Sequence, residues 1–356
     1  MTRRVDGRAD AEAAVRVRPN RRGSRPRTKL RPQHADAERG LVTGVDRGRY
    51  AVLVAPDTPQ ERAVVGVRAR ELRDRVVCGD LVDVVGDTSG SAGSLARIVR
   101  VTERTTVLRR TADDTDPVER VIVANADQLV VVTALADPEP RTRMIDRCVV
   151  AAYDAGMDVL LCLTKADLAD AGPLRDAYDP LGVAVVVTAM APGHAGAHTI
   201  DGLDRVRHAL SGRVSVLVGH SGVGKSTLVN ALVPHALRAT GGVNVVTGRG
   251  RHTSSSAVVL RLPEQDGWVI DTPGVRSFGL AHVEPQTVLA AFADLSEVSQ
   301  ERCPRGCTHA GDAPDCALDE WVAEAAEDAP EHERRAVRLD SLRRLLAARA
   351  GDARVD

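Results

Sequence analysis

Aromatic residues are scarce in this chain: Phe, Trp and Tyr together make up 2% of its 356 residues. That argues against the stacking platforms on which many single-strand RNA readers lay bases, so any contact with nucleic acid has to rest on charge and shape. Lysine is nearly absent, with Lys29, Lys165 and Lys225 as its three occurrences, and arginine supplies the other positive charge. No apolar run reaches the roughly 18 residues that a membrane-spanning helix needs, and the N-terminus lacks the apolar core of a signal peptide. Cysteine is sparse too: Cys78, Cys148 and Cys162 stand singly in apolar stretches, as reduced core thiols would. These absences point to a cytoplasmic protein with no membrane partner.

The net charge of -1 conceals an asymmetry. Residues 1–33 carry Arg3, Arg4, Arg8, Arg16, Arg18, Arg21, Arg22, Arg25, Arg27, Lys29 and Arg31 against three acids, with almost no large apolar residue. Such a tail cannot bury enough surface to offset its ordering entropy, so residues 1–37 are expected to be disordered. They read equally as a phosphate-binding arm or as a solvated extension.

The length suggests two or three domains. Short alternating strands are expected at 41–45, 50–54, 63–67, 81–85 and 96–101, punctuated by Gly, Asp and Pro. This suits a small barrel of the oligonucleotide/oligosaccharide-binding (OB) type over 38–106, although an SH3-like barrel fits the strand pattern nearly as well. Strands at 128–133, 158–163, 184–187, 214–218 and 267–270 then alternate with helical stretches, notably 141–155 and 226–232. That is the rhythm of a parallel sheet covered by helices, an α/β domain over 117–282. A helical period takes over in 283–350.

The run Gly219-His220-Ser221-Gly222-Val223-Gly224-Lys225-Ser226-Thr227 matches the phosphate-loop pattern G-x-x-x-x-G-K-[ST], after an apolar strand and before a helix. Its glycines let backbone N–H groups turn inward around phosphates, Lys225 neutralises β/γ charge and Ser226 can ligate Mg²⁺. Two of the three lysines fall in nucleotide motifs, a placement that chemistry explains better than composition. Asp271-Thr272-Pro273-Gly274 follows another strand end, where Asp271 can hold Mg²⁺ and the Gly274 amide can meet a γ-phosphate. Between them, Thr253 in the glycine-rich stretch 241–253 is the candidate switch hydroxyl for Mg²⁺.

Reading guanine requires a carboxylate that accepts from N1–H and the exocyclic amine together. Asp167, in Thr164-Lys165-Ala166-Asp167, is the candidate; the Lys165 stem can cover the base and Thr188-Ala189 can support it from the other side. T-K-x-D alone is also compatible with a helix start capped by Asp. Both base elements precede the phosphate loop, the reverse of the conventional order, so the nucleotide domain is read as circularly permuted. A parallel sheet tolerates this, because the site still assembles at the carboxyl ends of its strands. The permutation sends the segment after Gly274 directly into the C-terminal part, where nucleotide state could reposition it.

Cys303, Cys307, His309 and Cys316 follow the spacing C-x3-C-x-H-x6-C. Three thiolates and an imidazole form a structural Zn²⁺ set with no open position, the favoured reading; the alternative is buried thiols beside a surface histidine.

Together these residues resemble the circularly permuted ribosome small-subunit-dependent GTPase family, RsgA/YjeQ, over about residues 40–320. The resemblance implies an N-terminal OB-type barrel, a permuted P-loop GTPase domain and a helical zinc-binding C-terminal domain. It also implies GTP and GDP as ligands, the 30S subunit and its 16S rRNA as partners, a role in late 30S maturation, and turnover stimulated by the subunit. A monomer is expected. The family's G-R-H-T switch motif is matched at Gly250-Arg251-His252-Thr253, which makes His252 the residue that orients the attacking water. The position after Gly274 agrees with a displaced catalytic residue, being Val275, which cannot position water. Two departures stand out. Thr164 replaces the usual Asn that ties the base element to the phosphate loop, which predicts weaker guanine affinity. The zinc spacing is one residue shorter and then one longer than the family's C-x4-C-x-H-x5-C, which leaves Cys307 and Cys316 the less certain ligands. The rivals are a P-loop ATPase of conventional order and a non-enzymatic RNA-binding assembly factor.

Overall fold

A computed structural model describes residues 34–111, 119–192, 198–234, 257–272, 278, 280 and 283–350. The expectations placed on the basic tail up to residue 33, on Arg251, His252 and Thr253, and on Gly274 and Val275 lie outside the described residues.

Five strands, β1 (Glu38–Asp46), β2 (Arg49–Val54), β3 (Arg62–Arg68), β4 (Leu81–Gly86) and β5 (Ala96–Val101), pair in the order β1-β2-β3-β5-β4, and β4 closes back onto β1. This five-stranded Greek-key closure decides for the OB-type barrel over the SH3-like one. The alternation that marked the strands is what fills the barrel: Val42, Tyr50, Val52, Val54, Val64, Val82, Val84 and Ile98 point inward and are buried. One aromatic side chain, Tyr50, contributes to this core, so β-branched residues do most of the packing.

A hairpin, β6 (Val107–Thr111) and β7 (Glu119–Ala124), leads to the central sheet. There β8 (Gln128–Ala134), helix α1 (Thr142–Asp154), β9 (Asp158–Thr164), helix α2 (Gly172–Tyr178) and β10 (Ala184–Val187) run outward from the centre. After a second hairpin, β11 (Ala189–Pro192) and β12 (His198–Asp201), comes helix α3 (Leu203–Leu210). The chain then returns to the other side of β8 with β13 (Arg213–Val218) and helix α4 (Lys225–Leu232). The sheet ends in β14 (Val258–Arg261) and β15 (Gly267–Asp271); β10, β9, β8, β13 and β15 are parallel and β14 is antiparallel to β15.

β8 is buried along its whole length, as a strand covered on both faces must be. Its successive residues face opposite ways: Val130 and Val132 join Leu210, Leu228 and Leu232 of α3 and α4, whereas Leu129 and Val131 join Ile145 and Val149 of α1. The cysteines expected in the core are there, with Cys78, Cys148 and Cys162 free and buried.

The C-terminal part is helical, with α5 (Pro285–Ala290), α6 (Ala293–Arg302), α7 (Ala317–Ala323) and α8 (Ala329–Ala350). Leu339, Leu342 and Leu345 of α8 enter the same apolar cluster as α1. Polar contacts reinforce that packing, with Arg344 Nε 3.3 Å from Asp146 Oδ1 and the Tyr178 hydroxyl donating to Asp146 Oδ1 at 2.9 Å. No described helix is long and apolar enough to cross a membrane.

Candidate nucleotide site and metal centre

Because β9, β10, β13 and β15 are parallel, their carboxyl ends lie on one edge of the sheet, and each delivers a motif there. The strand order reverses between β8 and β13, which opens the crevice into which the phosphate loop turns. Gly222 and Gly224 take φ of 84° and 90°, the left-handed region that side chains resist, and Gly224 caps α4 in that conformation. A Cβ on Gly219 would come within 2.5 Å of the Val132 carbonyl oxygen, so the loop's first position has no room for a side chain.

Lys225 opens α4, and its ammonium donates to the Asp271 carboxylate at the end of β15. Their side chains retain 12% and 28% exposure, so the pair is shielded but open toward the crevice. A bound nucleotide would draw Lys225 toward phosphate and leave Asp271 available to a hard cation. The hydroxyl of Thr272, a residue outside the sequence-based selection, donates to the Leu217 carbonyl at 2.7 Å and fixes the end of β15 against β13.

At the base side, the Thr164 hydroxyl is buried and donates to the Val223 carbonyl of the phosphate loop at 2.6 Å. The tie that Asn usually makes between base element and phosphate loop is made here by threonine; one hydroxyl proton suffices because Val223 offers a carbonyl acceptor. Lys165 sits at φ 59°, and its ammonium donates to the Asp137 carbonyl. Asp167 is exposed and its Oδ1 accepts from the Met190 amide at 3.0 Å, which orients the carboxylate. Thr188 joins the two candidate base elements: its N–H donates to the Leu163 carbonyl at 2.7 Å and its carbonyl accepts from the Ala166 amide at 3.1 Å. Thr164, Lys165, Asp167, Thr188 and Ala189 thus converge beside the phosphate loop, despite preceding it in sequence. Met190 and Asp137 contribute through backbone atoms, which no side-chain motif could have signalled.

The shifted cysteine spacing still closes a cluster. One ligand atom from each of Cys303, Cys307, His309 and Cys316 lies within 4.8 Å of all the others. Tetrahedral zinc with Zn–S near 2.3 Å sets sulfurs about 3.8 Å apart, so the set fits the ion with small adjustment. Cys303 caps the end of α6 and Cys316 the start of α7, while Cys307 and His309 come from the intervening loop. His309 Nδ1 faces Cys303 Sγ at 3.7 Å and Cys316 Sγ at 3.8 Å; Ser299 Oγ lies 3.2 Å from Nε2 on the ring's other side. Ser299 Oγ can accept a hydrogen bond from Nε2–H, which leaves Nδ1 as the ligand atom. It precedes Cys303 by four residues, the helical spacing that could have revealed it. Burial pushes the Cys316 thiol up to about 11 and, with the Arg343 charge, pushes His309 down. A cation is what offsets the cost of a thiolate here.

A strand-ended phosphate loop, an acid on the adjoining parallel strand and base elements earlier in the chain define a circularly permuted P-loop nucleotide-binding protein. Residues 101–281 match the family model described as RsgA GTPase. The chain is 33% identical over 315 residues to the small ribosomal subunit biogenesis GTPase RsgA of Alcanivorax borkumensis, covering 86% of this chain and 85% of that protein. To the protein of the same name from Chlorobaculum parvum it is 32% identical, covering 85% and 97% of the two chains. The chain belongs to the RsgA GTPase family. In fold it resembles the crystal structure of YjeQ from Thermotoga maritima, with a TM-score of 0.59, 24% identity, and coverage of 86% of this chain and 98% of that one. It also resembles YloQ, a circularly permuted GTPase, with a TM-score of 0.58, 21% identity, and coverage of 87% and 96%.

Proposed function

We propose that this protein binds and hydrolyses GTP on the 30S ribosomal subunit, in contact with 16S rRNA, and acts in the late maturation of that subunit. The observation that carries the reading is the convergence of Lys225, Asp271, Thr164, Asp167 and Thr188 on one edge of a parallel sheet. Family membership and the small-subunit role named for its relatives support it.

The reaction transfers the γ-phosphoryl group of GTP to water, which positioning and charge stabilisation govern. Gly219, His220, Ser221, Gly222, Val223, Gly224 and Thr227 form the phosphate cradle, and Lys225 neutralises charge on the β- and γ-oxygens. Asp167 reads the guanine edge, with Lys165 over the base and Thr188-Ala189 behind it, while Thr164 keeps base reader and cradle in register. Ser226, Thr253 and Asp271 offer the hard oxygen ligands that suit Mg²⁺, which supplies charge neutralisation when bound with the nucleotide. His252 orients the attacking water, and the Gly274 amide meets the γ-phosphate. Cys303, Cys307, His309 and Cys316 hold one structural Zn²⁺. The OB-type barrel spans 38–106, the nucleotide domain 117–282 and the zinc-binding helical domain 283–350; contact with RNA rests mainly on charge and shape, and the basic segment 1–37 is either a phosphate-binding arm or a solvated extension. The protein acts in the cytoplasm as a monomer.

The deciding experiment is hydrolysis by the purified protein with and without 30S subunits, with ATP in parallel. Stimulation restricted to GTP is the expected result. Equal use of ATP, or no response to the subunit, overturns the reading.

A further inference from the structure

β14 lies in the seam between barrel and nucleotide sheet. β14 pairs on one side with β1 of the barrel and on the other with β15, and the register sets Gly44, Val258 and Asp271 in one row. Among the described residues, one backbone register pair joins β1 to β14. The barrel also meets β7 through backbone, with a Cys78–Val123 bridge and the Ala124 N–H donating to the Cys78 carbonyl at 3.1 Å, and side chains add to the seam at β14. Cys78 Sγ donates to the Ala257 carbonyl at 3.1 Å. Arg261, at the far end of β14, reaches into the turn between β2 and β3, where its Nη1 donates to Glu61 Oε1 at 3.1 Å and its Nη2 to Glu61 Oε2 at 2.5 Å. Asp57 Oδ1 lies 3.1 Å from the same Nη2. The guanidinium rests on the Trp268 ring at 4.4 Å from its centroid, and Trp268 is the partner of Arg261 in the β14–β15 ladder.

An exposed ion pair contributes little, but this one differs in geometry. It is bidentate, stacked on an aromatic face and largely shielded, with 21% exposure for Arg261 and 27% for Glu61. The Arg261 guanidinium also holds the Glu61 carboxyl below its ordinary range, so the pair stays charged at neutral pH. Among the described residues, the polar and ring partners of Arg261 are Glu61, Asp57 and Trp268, none of which is a candidate nucleotide-binding residue. Arg261 grips the barrel with its head, while its own strand pairs with β15, which carries the ring partner Trp268 and ends at Asp271.

We infer that Arg261 is a positioning residue: it clamps the barrel to the β14–β15 pair, so that load on the barrel reaches Asp271 and, in return, occupancy of the nucleotide site changes the barrel's β2–β3 turn. The inference deepens the proposed function, on which its ribosomal arm rests.

The test uses Arg261→Met, which keeps an apolar stem over Trp268, and the charge exchange Arg261→Glu with Glu61→Arg. Amide hydrogen exchange of residues 49–62 is compared between the GDP-bound and GTP-analogue-bound full-length protein, and kcat and KM are measured with and without 30S subunits. The wild type is expected to show nucleotide-dependent exchange in that turn, and Arg261→Met to lose it. In that variant basal kcat and KM should stay within about twofold while subunit stimulation falls by about fivefold or more. The exchanged pair should recover part of both responses. Absence of nucleotide-dependent exchange in the wild type overturns the inference, as does equal loss of basal and stimulated rates in Arg261→Met. If the exchange coupling is present and depends on Arg261 but the wild type ignores 30S subunits, the clamp stands and the ribosomal reading falls.

Discussion

The Thr164 hydroxyl donates to the carbonyl of Val223 at 2.6 Å, so the residue that opens the base element is bonded to the loop that cradles phosphate. Thr164→Val removes the donor at nearly constant volume and leaves a buried carbonyl short of a partner, a cost of about 1–3 kcal/mol. Guanine nucleotide affinity should fall roughly tenfold or more, while Thr164→Ser stays near wild type. Titration with a fluorescent GDP analogue measures both; equal affinity in Thr164→Val would show that the tie does not organise the site.

Lys225 and Asp271 separate two contributions. Lys225→Ala should weaken GTP and GDP binding by about 2–5 kcal/mol, because phosphate charge then enters a shielded site without its counter-charge. Asp271→Asn should instead reduce the dependence of GTP affinity on magnesium and spare binding in its absence. Isothermal titration with and without Mg²⁺ reads the difference, and unchanged GTP affinity in Lys225→Ala would count heavily against the site.

His252 is assigned from sequence resemblance, so kinetics must judge it. His252→Ala should retain nucleotide affinity and lose about 10²-fold in stimulated turnover, the scale expected when a reacting water loses its orientation. An unchanged rate would remove His252 from the reaction.

Ser299→Ala should weaken zinc binding by about 10- to 100-fold, since the imidazole loses the partner that fixes its tautomer. Metal analysis after dialysis against a graded chelator measures this, and stripping the metal altogether should lower the melting temperature. Equal zinc retention by Ser299→Ala and wild type would show that Ser299 is incidental.

Asp146 gives a pH prediction. Burial raises its pKa in the fold, against the opposing Arg344 charge and the Tyr178 hydrogen bond. The folded chain therefore holds this proton to higher pH than the unfolded chain, and the Asp146 contribution to stability declines as pH rises from the unfolded value through the folded one. Asp146→Asn, which keeps an acceptor for Tyr178, should flatten the change in melting temperature between about pH 4 and pH 7 relative to wild type. An identical slope in the two proteins would exclude Asp146 as its source.

Much of this architecture was legible because its signals are local. The strands expected at 41–45, 50–54, 63–67, 81–85 and 96–101 fall on β1 to β5, and those at 128–133, 158–163, 184–187, 214–218 and 267–270 on β8, β9, β10, β13 and β15. The cysteine cluster was legible for the same reason, its ligands lying within one short stretch. β14 went unread: Val258-Val259-Leu260-Arg261 is too short for a period, and its pairing depends on β1 and β15 rather than on its own residues. The hairpins β6–β7 and β11–β12 escaped notice likewise. At the site, the phosphate loop and Asp167 were readable as motifs, whereas the Thr164–Val223 bond joins residues 59 apart in sequence. The Arg261–Glu61 pair spans 200 residues, a distance at which no pattern in either segment announces the other.

The order in which the strands occupy the sheet bears on how the chain matures. During synthesis the barrel and β8 to β10 emerge first, with the base reader already present, but the edge of β8 that will receive β13 is still bare. The phosphate loop follows β13, which pairs with β8 and β15, and the seam through β14 rests on contacts between distant parts of the chain, a kind that forms slowly. A nascent chain cut short before β15 therefore carries the proposed guanine-reading residues without Asp271, the proposed magnesium ligand, so on the proposed assignments nucleotide capture would mark a nearly finished sheet.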